Sequence, residues 1–299
     1  MGNTILFGGT GLLGSIMLRE NPDIISVGRS MNYDVKNLHY FAGLDDFSDL
    51  SIIDKLNFDK VVFFVGNSNH HILNKSCMSG IEYNVIPLKQ VLHYLKGRKI
   101  KKFICLTSIL LYGNEEKGYP VSETEQIHPY QNEYLFSKYL AEEVVKFYSK
   151  EVPIINIRLS NIYGDTHLQR PDLIPTLVLD CITKDDVSVW NDKPIRDFIF
   201  ASDACDAILK LLDTDYTGNI NLGNGEMHSV REVCDILEKL SGKKIRSLDM
   251  EVTGVMKFMT DTSLLKKLTL WHPKHTLEEG LTKTYNAMLK NVKNGEAVK

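Results

Sequence analysis

The chain has 299 residues, of which 43% are hydrophobic and 24% charged, and its net charge is −3 at pH 7. This is the composition of a globular protein with a large core; no basic stripe predicts binding to nucleic acid, and the longest apolar runs, such as "VVFFV" (61–65), are too short to span a bilayer. No secretory signal follows Met1. The spacing of the five cysteines does not suggest a metal site, and Cys105 and Cys181, which lie in apolar runs, are expected to be buried free thiols. We therefore expect a cytoplasmic protein.

Strand and helix patterns alternate over the first two thirds of the chain. Apolar runs of strand length cover 4–9, 24–28, 60–66, 101–108 and 152–164. Helical patterns cover 11–20, 50–57, 82–97 and a segment from about 132. This alternation, with strands that are nearly continuously apolar, predicts an α/β fold with a parallel sheet covered on both faces.

The pattern changes after Gly164. A short strand, a glycine turn and a helix that begins near Ser229 follow within 219–245, and the last amphipathic helix covers 275–291. We therefore expect a main domain over 1–164 and a smaller α/β C-terminal lobe, mostly substrate-binding, over 165–299. A segment near 196–222 is expected to interleave with the main domain.

A glycine loop, "FGGTGLLG" (7–14), stands directly between the first strand and the first helix. Glycines let the backbone turn tightly and approach a pyrophosphate, and the helix N-terminus supplies amide donors. The loop predicts a dinucleotide site on a doubly wound sheet of the Rossmann type. The expected cofactor contacts in this loop are Gly8, Thr10, Gly11, Leu12, Leu13 and Gly14.

The residue after the second strand bears on which dinucleotide binds. An acidic residue there would hydrogen-bond the ribose of NAD, whereas an arginine suits the 2′-phosphate of NADP. Arg29 occupies that place, in "VGRS" (27–30). The sequence thus favours NADP(H), with NAD(H) as the alternative.

Three further residues suggest a catalytic site. Tyr134 and Lys138 are four residues apart in the predicted helix from about 132, hence on one face, and Ser108 ends the strand 101–108. Each has an ordinary structural explanation: a half-buried tyrosine, a solvated lysine and a serine that caps a helix. Ligands of open α/β sheets bind at the carboxyl ends of the strands, which is where Ser108 stands.

In this combination the chain resembles the extended branch of the short-chain dehydrogenase/reductase superfamily, which includes nucleotide-sugar epimerases, reductases and dehydratases. Eight segments match in the family's order: "GGTGLLG" (8–14), "DFSD" (46–49), "TSILLYG" (107–113), "YLFSK" (134–138), "RLSNIYGD" (158–165), "RDFIFASDACDAI" (196–208), "NINLGNGEMHSVREV" (219–233) and "WHPKHTLEEGL" (271–281). The resemblance implies cofactor contacts from Asp46, Phe47 and Gly66. It also implies a homodimer that pairs the 82–97 helix and the Tyr134 helix with their copies.

The chemistry of such a site fits these residue types. Hydride transfer to a ketone leaves an alkoxide that needs a proton, and the ordinary tyrosine pKa of about 10 is too high for ready ionisation at neutral pH. A neighbouring ammonium stabilises the phenolate. Tyr134 is therefore predicted as the general acid or base, with Lys138 tuning it and binding the nicotinamide ribose. Ser108 is predicted to hydrogen-bond the reacting oxygen.

Departures from the family's motifs reduce the number of possible reactions. Ile109 and Leu110 stand where 4,6-dehydratases carry an Asp-Glu pair. Ile109 and Asp172 stand where enzymes that epimerise C3 and C5 carry a cysteine and a histidine. Two possibilities remain, namely reduction of a 4-keto nucleotide-diphosphate sugar by NADPH, or C4 epimerisation or lone oxidation with NAD. Arg29 favours the reduction, and a dinucleotide sensor without catalysis is the non-enzyme alternative.

The resemblance also implies substrate contacts. Asn161 and Arg196 would hold the diphosphate, since a guanidinium pairs well with phosphate oxygens. For Arg196 the structural alternative is a salt bridge to Asp197 or Asp203. His70 and His71 are expected to be solvated loop residues, His167 has no evident partner, and no spacing of residues suggests a metal site.

Overall fold

A computed structural model describes residues 3–30, 37–41, 49–76, 78–113, 119–165, 171–252 and 254–295. Asp46 and Phe47, predicted to contact the cofactor, and His167 lie outside the described residues, as does the side chain of His71. No described helix combines the length and apolar composition needed to cross a membrane.

The strands of the described residues are, in chain order, β1 (Thr4–Phe7), β2 (Ile25–Gly28), β3 (His39–Phe41), β4 (Lys60–Phe63), β5 (Lys102–Ser108), β6 (Ile154–Leu159), β7 (Asn161–Tyr163), β8 (Val187–Val189), β9 (Ile195–Arg196), β10 (Phe198–Phe200), β11 (Gly218–Leu222), β12 (His228–Ser229) and β13 (Ile245–Ser247). The α-helices are α1 (Leu12–Glu20), α2 (His70–Leu73), α3 (Ile86–Leu95), α4 (Glu133–Tyr148), α5 (Leu173–Thr183), α6 (Ala201–Leu211), α7 (Val230–Ser241), α8 (Ser263–Thr269) and α9 (Leu277–Lys293).

Seven strands form the central sheet in the order β11-β6-β5-β4-β1-β2-β3, and every pair in it is parallel. The predicted parallel α/β sheet is confirmed, and its order is the doubly wound one. The direction of winding reverses between β1 and β4, and such a reversal opens a crevice beyond the carboxyl ends of the strands.

Both faces of the sheet are covered because successive strand residues point to opposite sides. One face packs on α1 and α6, with a layer that includes Leu6, Val62, Ile104, Ile16 and Ile208. The other packs on α3 and α4, with a layer that includes Ile5, Val61, Phe103, Val91 and Val145. These two apolar layers fix α1 and α4 beside the crevice.

A further core lies mostly in the residues after Gly164, where α5, α7 and α9 pack with β8, β10 and β13. Its helix α7 follows Ser229, whose hydroxyl accepts the Glu232 amide while the Glu232 carboxylate accepts the Ser229 amide. The helix predicted to begin near Ser229 is therefore confirmed. From this third of the chain, β11 joins the central sheet beside β6; the division of the chain at Gly164 stays a prediction.

Three predicted elements differ in the structure. The strand predicted over 152–164 is two strands, because the chain leaves the central sheet at Ser160 and β7 pairs with β10. The helix predicted over 50–57 is a 3-10 turn at Ser51–Lys55, since one turn suffices to bury Leu50 and Ile53. The helix predicted over 82–97 begins as a π-turn, Ile81–Val85, and continues as α3.

Candidate active site

Two adjoining clefts lie at the carboxyl ends of the central strands. The larger has a volume of about 530 Å³ and receives residues that follow β1, β4, β5 and β6. The smaller, of about 200 Å³, lies between the glycine loop and the end of β2. Gly11, Phe64, Val65 and Gly66 line both clefts, so the two form one crevice at the reversal of the sheet.

Different physical reasons explain why glycine stands at positions 8, 11 and 14 of the loop. Gly8 has φ +92°, and a Cβ there would lie 2.8 Å from the carbonyl carbon of Phe64. A Cβ on Gly14 would lie 2.1 Å from the oxygen of Gly8, so both positions are required by packing. At Gly11 the nearest atom to such a Cβ is 3.6 Å away, so the protein leaves that space open. Gly11 is also the N-cap of α1 and has no side-chain cap, which suits the close approach of a pyrophosphate.

Arg29 lies where the sequence predicts the determinant of cofactor choice. It directly follows β2, is exposed, and lines the smaller cleft together with Gly8, Gly11 and Ser30. Arg29 is thus at the end of the crevice opposite the larger cleft. Arg29 therefore adds a positive charge to the smaller cleft, and the predicted contacts Asp46 and Phe47 lie outside the described residues.

Tyr134 and Lys138 lie on the face of α4 that meets the larger cleft. Their side chains are buried, at 5% and 9% exposure, and the Lys138 Nζ is 5.8 Å from the centre of the Tyr134 ring. The interpretation of Lys138 as a solvated lysine is therefore wrong. Burial lowers the pKa of Lys138 to about 8, so its ammonium form is easily lost above neutral pH.

Ser108 caps a turn, as its structural alternative suggested, and it also lies in the larger cleft. It is buried at the end of β5 and lines the larger cleft. Its Oγ accepts a hydrogen bond of 3.2 Å from the Leu110 amide and so caps the 3-10 turn Ile109–Tyr112. Because a hydroxyl can accept and donate hydrogen bonds at once, the Ser108 hydroxyl can still donate a hydrogen bond to a substrate oxygen.

Asn84 is a site residue that sequence reasoning missed. Its Oδ1 accepts the Asn67 amide at 2.8 Å, and its Nδ2 donates to the Ser137 Oγ at 2.9 Å. These bonds join the loop after β4 to α4. A Cβ on Gly66 would lie 2.8 Å from the Asn84 Oδ1 and 3.6 Å from the Lys138 Nζ, so only glycine lets this loop approach the lysine. No local pattern marks this residue, because its partner Ser137 lies 53 positions further along the chain.

A buried ion pair was missed as well. Glu142, one turn beyond Lys138, pairs with Arg158 of β6 at 2.8 Å and accepts the Thr107 hydroxyl of β5 at 2.9 Å. Asn156 also donates to Glu142, at 3.0 Å. The cluster ties α4 to the two strands beside Ser108. Two polar residues on one face of the apolar strand "IINIRL" were its signal in the sequence.

The two predicted diphosphate contacts have different surroundings. Asn161 lines the larger cleft, whereas Arg196 is half-buried on β9, two residues before the cleft residue Phe198. The alternative salt bridges of Arg196 are excluded, because Asp197 accepts three backbone amides and Asp203 pairs with His275. Burial lowers the pKa of Arg196 to about 10, as expected for a guanidinium without a compensating anion among the described residues.

His70 is not the solvated loop residue that was expected. It begins α2, lines the larger cleft, and lies against Tyr134 with 4.1 Å between the ring centres and 40° between the planes. No group of three His, Cys, Asp or Glu side chains within the described ranges is arranged to hold a metal ion.

The chain is similar to known proteins both in sequence and in fold. The sequence model of the "NAD dependent epimerase/dehydratase family" matches residues 4–223. A putative UDP-glucose 4-epimerase of Methanocaldococcus jannaschii is 24% identical, over 96% of this chain and 98% of that protein. CDP-abequose synthase of Salmonella muenchen is 28% identical, over 67% of each chain. In fold, the chain is similar to UDP-glucose-4-epimerase of Stenotrophomonas maltophila, solved with bound NAD and formylated UDP-arabinopyranose, with TM-score 0.88 and 18% identity over 99% of this chain and 100% of that one.

Proposed function

Because the chain belongs to the NAD dependent epimerase/dehydratase family and is therefore an NAD(P)-dependent oxidoreductase-type enzyme, we propose that it reduces the 4-keto group of a nucleotide-diphosphate sugar with NADPH. One observation carries the proposal: the crevice has Arg29 at one end and Ser108, Tyr134 and Lys138 together at the other. An arginine at the first place favours a 2′-phosphate, and the trio at the second suits carbonyl reduction.

In the proposed reaction, the glycine loop and Arg29 would hold NADPH, which would supply a hydride for the C4 carbon. Tyr134 donates its phenolic proton to the C4 oxygen, and the Lys138 ammonium stabilises the phenolate that remains. Ser108 donates a hydrogen bond to the same oxygen as negative charge develops on it. The cleft is walled by apolar residues such as Phe64 and Leu106, which strengthen these charge interactions by keeping water away.

We assign the diphosphate of the substrate to Asn161 and Arg196. The support for Arg196 is its partial burial, since no carboxylate of the described residues pairs with it and burial lowers the pKa of its guanidinium to about 10. The support for Asn161 is its place in the wall of the cleft, although its Nδ2 already donates to the Asp197 carbonyl at 3.2 Å. Two phosphate groups would satisfy the Arg196 fork through paired hydrogen bonds.

Turnover tests the proposal directly. The purified protein is given NADPH and a panel of nucleotide-diphospho-4-keto sugars that differ in their base, and loss of the keto group is followed with oxidation of NADPH. Tyr134→Phe is expected to lower kcat by about 10²–10⁴, the usual contribution of a general acid. Tyr139→Phe, a phenol of the same helix outside the cleft, is the matched control. Undiminished turnover by Tyr134→Phe would contradict the proposal.

An NAD-dependent C4 epimerase or dehydrogenase is the second candidate, because several similar proteins are named as epimerases and the solved neighbour from Stenotrophomonas maltophila holds NAD. The dinucleotide that co-purifies with the protein distinguishes the two. Tightly held NAD supports the epimerase, and weakly held NADP(H) supports the reductase. A dinucleotide sensor without catalysis gains no support from a site that keeps Ser108, Tyr134 and Lys138 together.

We also propose a homodimer that forms through α3 and α4. An aromatic surface on and before α4 consists of Tyr130, Phe136, Tyr139 and Phe147, and the exposed fractions of Tyr130 and Phe147 are 78% and 74%. Exposed aromatic groups of this kind are typical of protein interfaces. Sedimentation analysis should give twice the mass of the chain. The buried free thiols of Cys105, Cys181, Cys205 and Cys234 support the cytoplasm as the proposed compartment.

A further inference from the structure

The short helix α2 holds Tyr134 at two points. The His70 ring lies against the Tyr134 ring, with centres 4.1 Å apart. The Asn74 Oδ1, one turn further along, accepts the Tyr134 backbone amide at 3.2 Å. The Asn74 amide in turn donates to the His70 carbonyl at 2.9 Å, so the two contacts belong to one rigid turn.

This turn is itself firmly anchored. Leu73 is fully buried in a small apolar cluster with Leu111, Leu135 and Tyr134. At the other end, the Asn69 side chain accepts the Ile72 amide at 3.3 Å and so caps the turn. A residue that is only loosely placed cannot orient its neighbour, whereas His70 is built into a turn with fixed supports on either side.

We infer that α2 is a clamp for the catalytic phenol, and that His70 is a positioning residue that orients the Tyr134 ring and, when protonated, favours its phenolate form. The inference deepens the proposed function and rests on it, because it assigns His70 a role in the same proton transfer. Histidine is the side chain whose charge most readily changes within the physiological pH range.

The sign of the effect follows from charge alone. A positive charge within about 4–6 Å of a phenolate favours it by 1–3 pH units, which adds to the effect of the Lys138 ammonium. The other ionisable groups that the structure describes on the elements around the contact are Lys75 after α2, Glu133, Lys138, Tyr139, Glu142, Glu143, Lys146 and Tyr148 on α4, Lys102 and Cys105 on β5, and Asp172 before α5. Of these, Lys138 and Asp172 line the same cleft as the phenol. Burial raises the pKa of Cys105, which keeps it neutral, and Lys75 is exposed to solvent. Lys138 is therefore the other cation close to the phenol among these groups.

The test separates the ring of His70 from its charge. His70→Phe keeps an aromatic ring against Tyr134 and removes the charge, while His70→Ala removes both. The ionisation midpoint of Tyr134 is read from phenolate absorbance in the near ultraviolet, with saturating NADP⁺ and no sugar, after subtraction of the matching Tyr134→Phe protein. His93→Phe is the control, because His93 contacts Tyr148 at 6.4 Å between ring centres, away from both clefts.

We expect the midpoint of Tyr134 to rise by about one pH unit in His70→Phe and in His70→Ala. We expect kcat for the 4-keto sugar to fall further in His70→Ala, which also loses the ring, with KM little changed. His93→Phe should match the wild type in both measurements. An unchanged midpoint in His70→Phe overturns the charge role, and an unchanged kcat in His70→Ala overturns the clamp.

These outcomes are distinct from a failure of the proposed function. If the protein does not reduce any 4-keto sugar, the phenolate titration still reports on His70, because it uses only protein and dinucleotide. If the clamp is wrong but the reductase is right, Tyr134→Phe abolishes turnover while His70→Phe and His70→Ala behave as wild type.

Discussion

At the scale of single residues, substitutions of the loop glycines should distinguish an effect on folding from an effect on dinucleotide binding. Gly14→Ala places a methyl group 2.1 Å from the Gly8 oxygen, a contact that the rigid loop cannot relieve. Gly11→Ala meets no atom closer than 3.6 Å. We therefore expect Gly14→Ala to unfold at lower temperature, and Gly11→Ala to keep its Tm but lose most of its dinucleotide affinity. Calorimetry with and without NADPH measures both; equal Tm losses in the two variants would contradict this assignment.

Burial of the Lys138 ammonium should lower the stability of the fold at neutral pH. Its pKa is about 8 when folded, against an ordinary 10.5, so the folded chain binds fewer protons between these pH values. Stability of the wild type consequently rises across that window. Lys138→Met should raise the free energy of unfolding at pH 7 by up to about 3 kcal/mol, and the gain should shrink towards pH 10. Urea unfolding at both pH values measures it, with the exposed Lys146→Met of the same helix as the control.

The sequence revealed some site residues and concealed others for a physical reason. Ser108, Tyr134 and Lys138 were predicted because local patterns and the family's motifs mark them: Tyr134 and Lys138 are four residues apart on one helix, and Ser108 ends a strand. His70 and Asn84 were not predicted as site residues, since their partners, Tyr134 and Ser137, lie far along the chain. Only the packed fold brings such pairs together, and no local pattern records it.

At the scale of elements, the Glu142–Arg158 pair connects α4 with the sheet. Both side chains are nearly fully buried, and removal of one leaves an uncompensated charge in the interior. Glu142→Leu should therefore cost about 3–5 kcal/mol of unfolding free energy. Glu142→Leu combined with Arg158→Met should recover much of that loss. Urea titration of both variants measures this, and the exposed Glu143→Leu should have little effect.

Strands were predicted well where the apolar run is short, and less well where the chain changes its partner strand within a longer run. The segment 152–164 has the composition of one long strand, yet the chain turns out of the sheet at Ser160. The Ser160 amide still donates to the Leu222 carbonyl at 2.8 Å, while the Asn161 amide donates to the Asp197 carbonyl at 3.3 Å. The change of partner strand depends on β10 and β11, whose positions the local sequence does not contain.

At the scale of the whole molecule, dinucleotide binding should stabilise the fold. A ligand at 100 times its Kd adds about 2.7 kcal/mol to the free energy of unfolding. We expect NADPH to raise Tm more than NADH does at the same concentration, because Arg29 lines the smaller cleft. Arg29→Ala should make the two shifts equal, and Arg19→Ala, on the helix beyond the loop and paired with Asp165, is the control. A larger shift with NADH in the wild type would favour the NAD-dependent candidate.

The position of β11 also has a consequence for synthesis on the ribosome. The strand at the edge of the central sheet, Gly218–Leu222, pairs with Ile155–Leu159, so about sixty residues are translated between the two partners. Until they emerge, the growing polypeptide carries β6 with an unpaired edge and the apolar groups of Ile155 and Ile157 uncovered. Such an intermediate is prone to aggregation. A chaperone that shields this edge during translation would be expected to improve the yield of native protein.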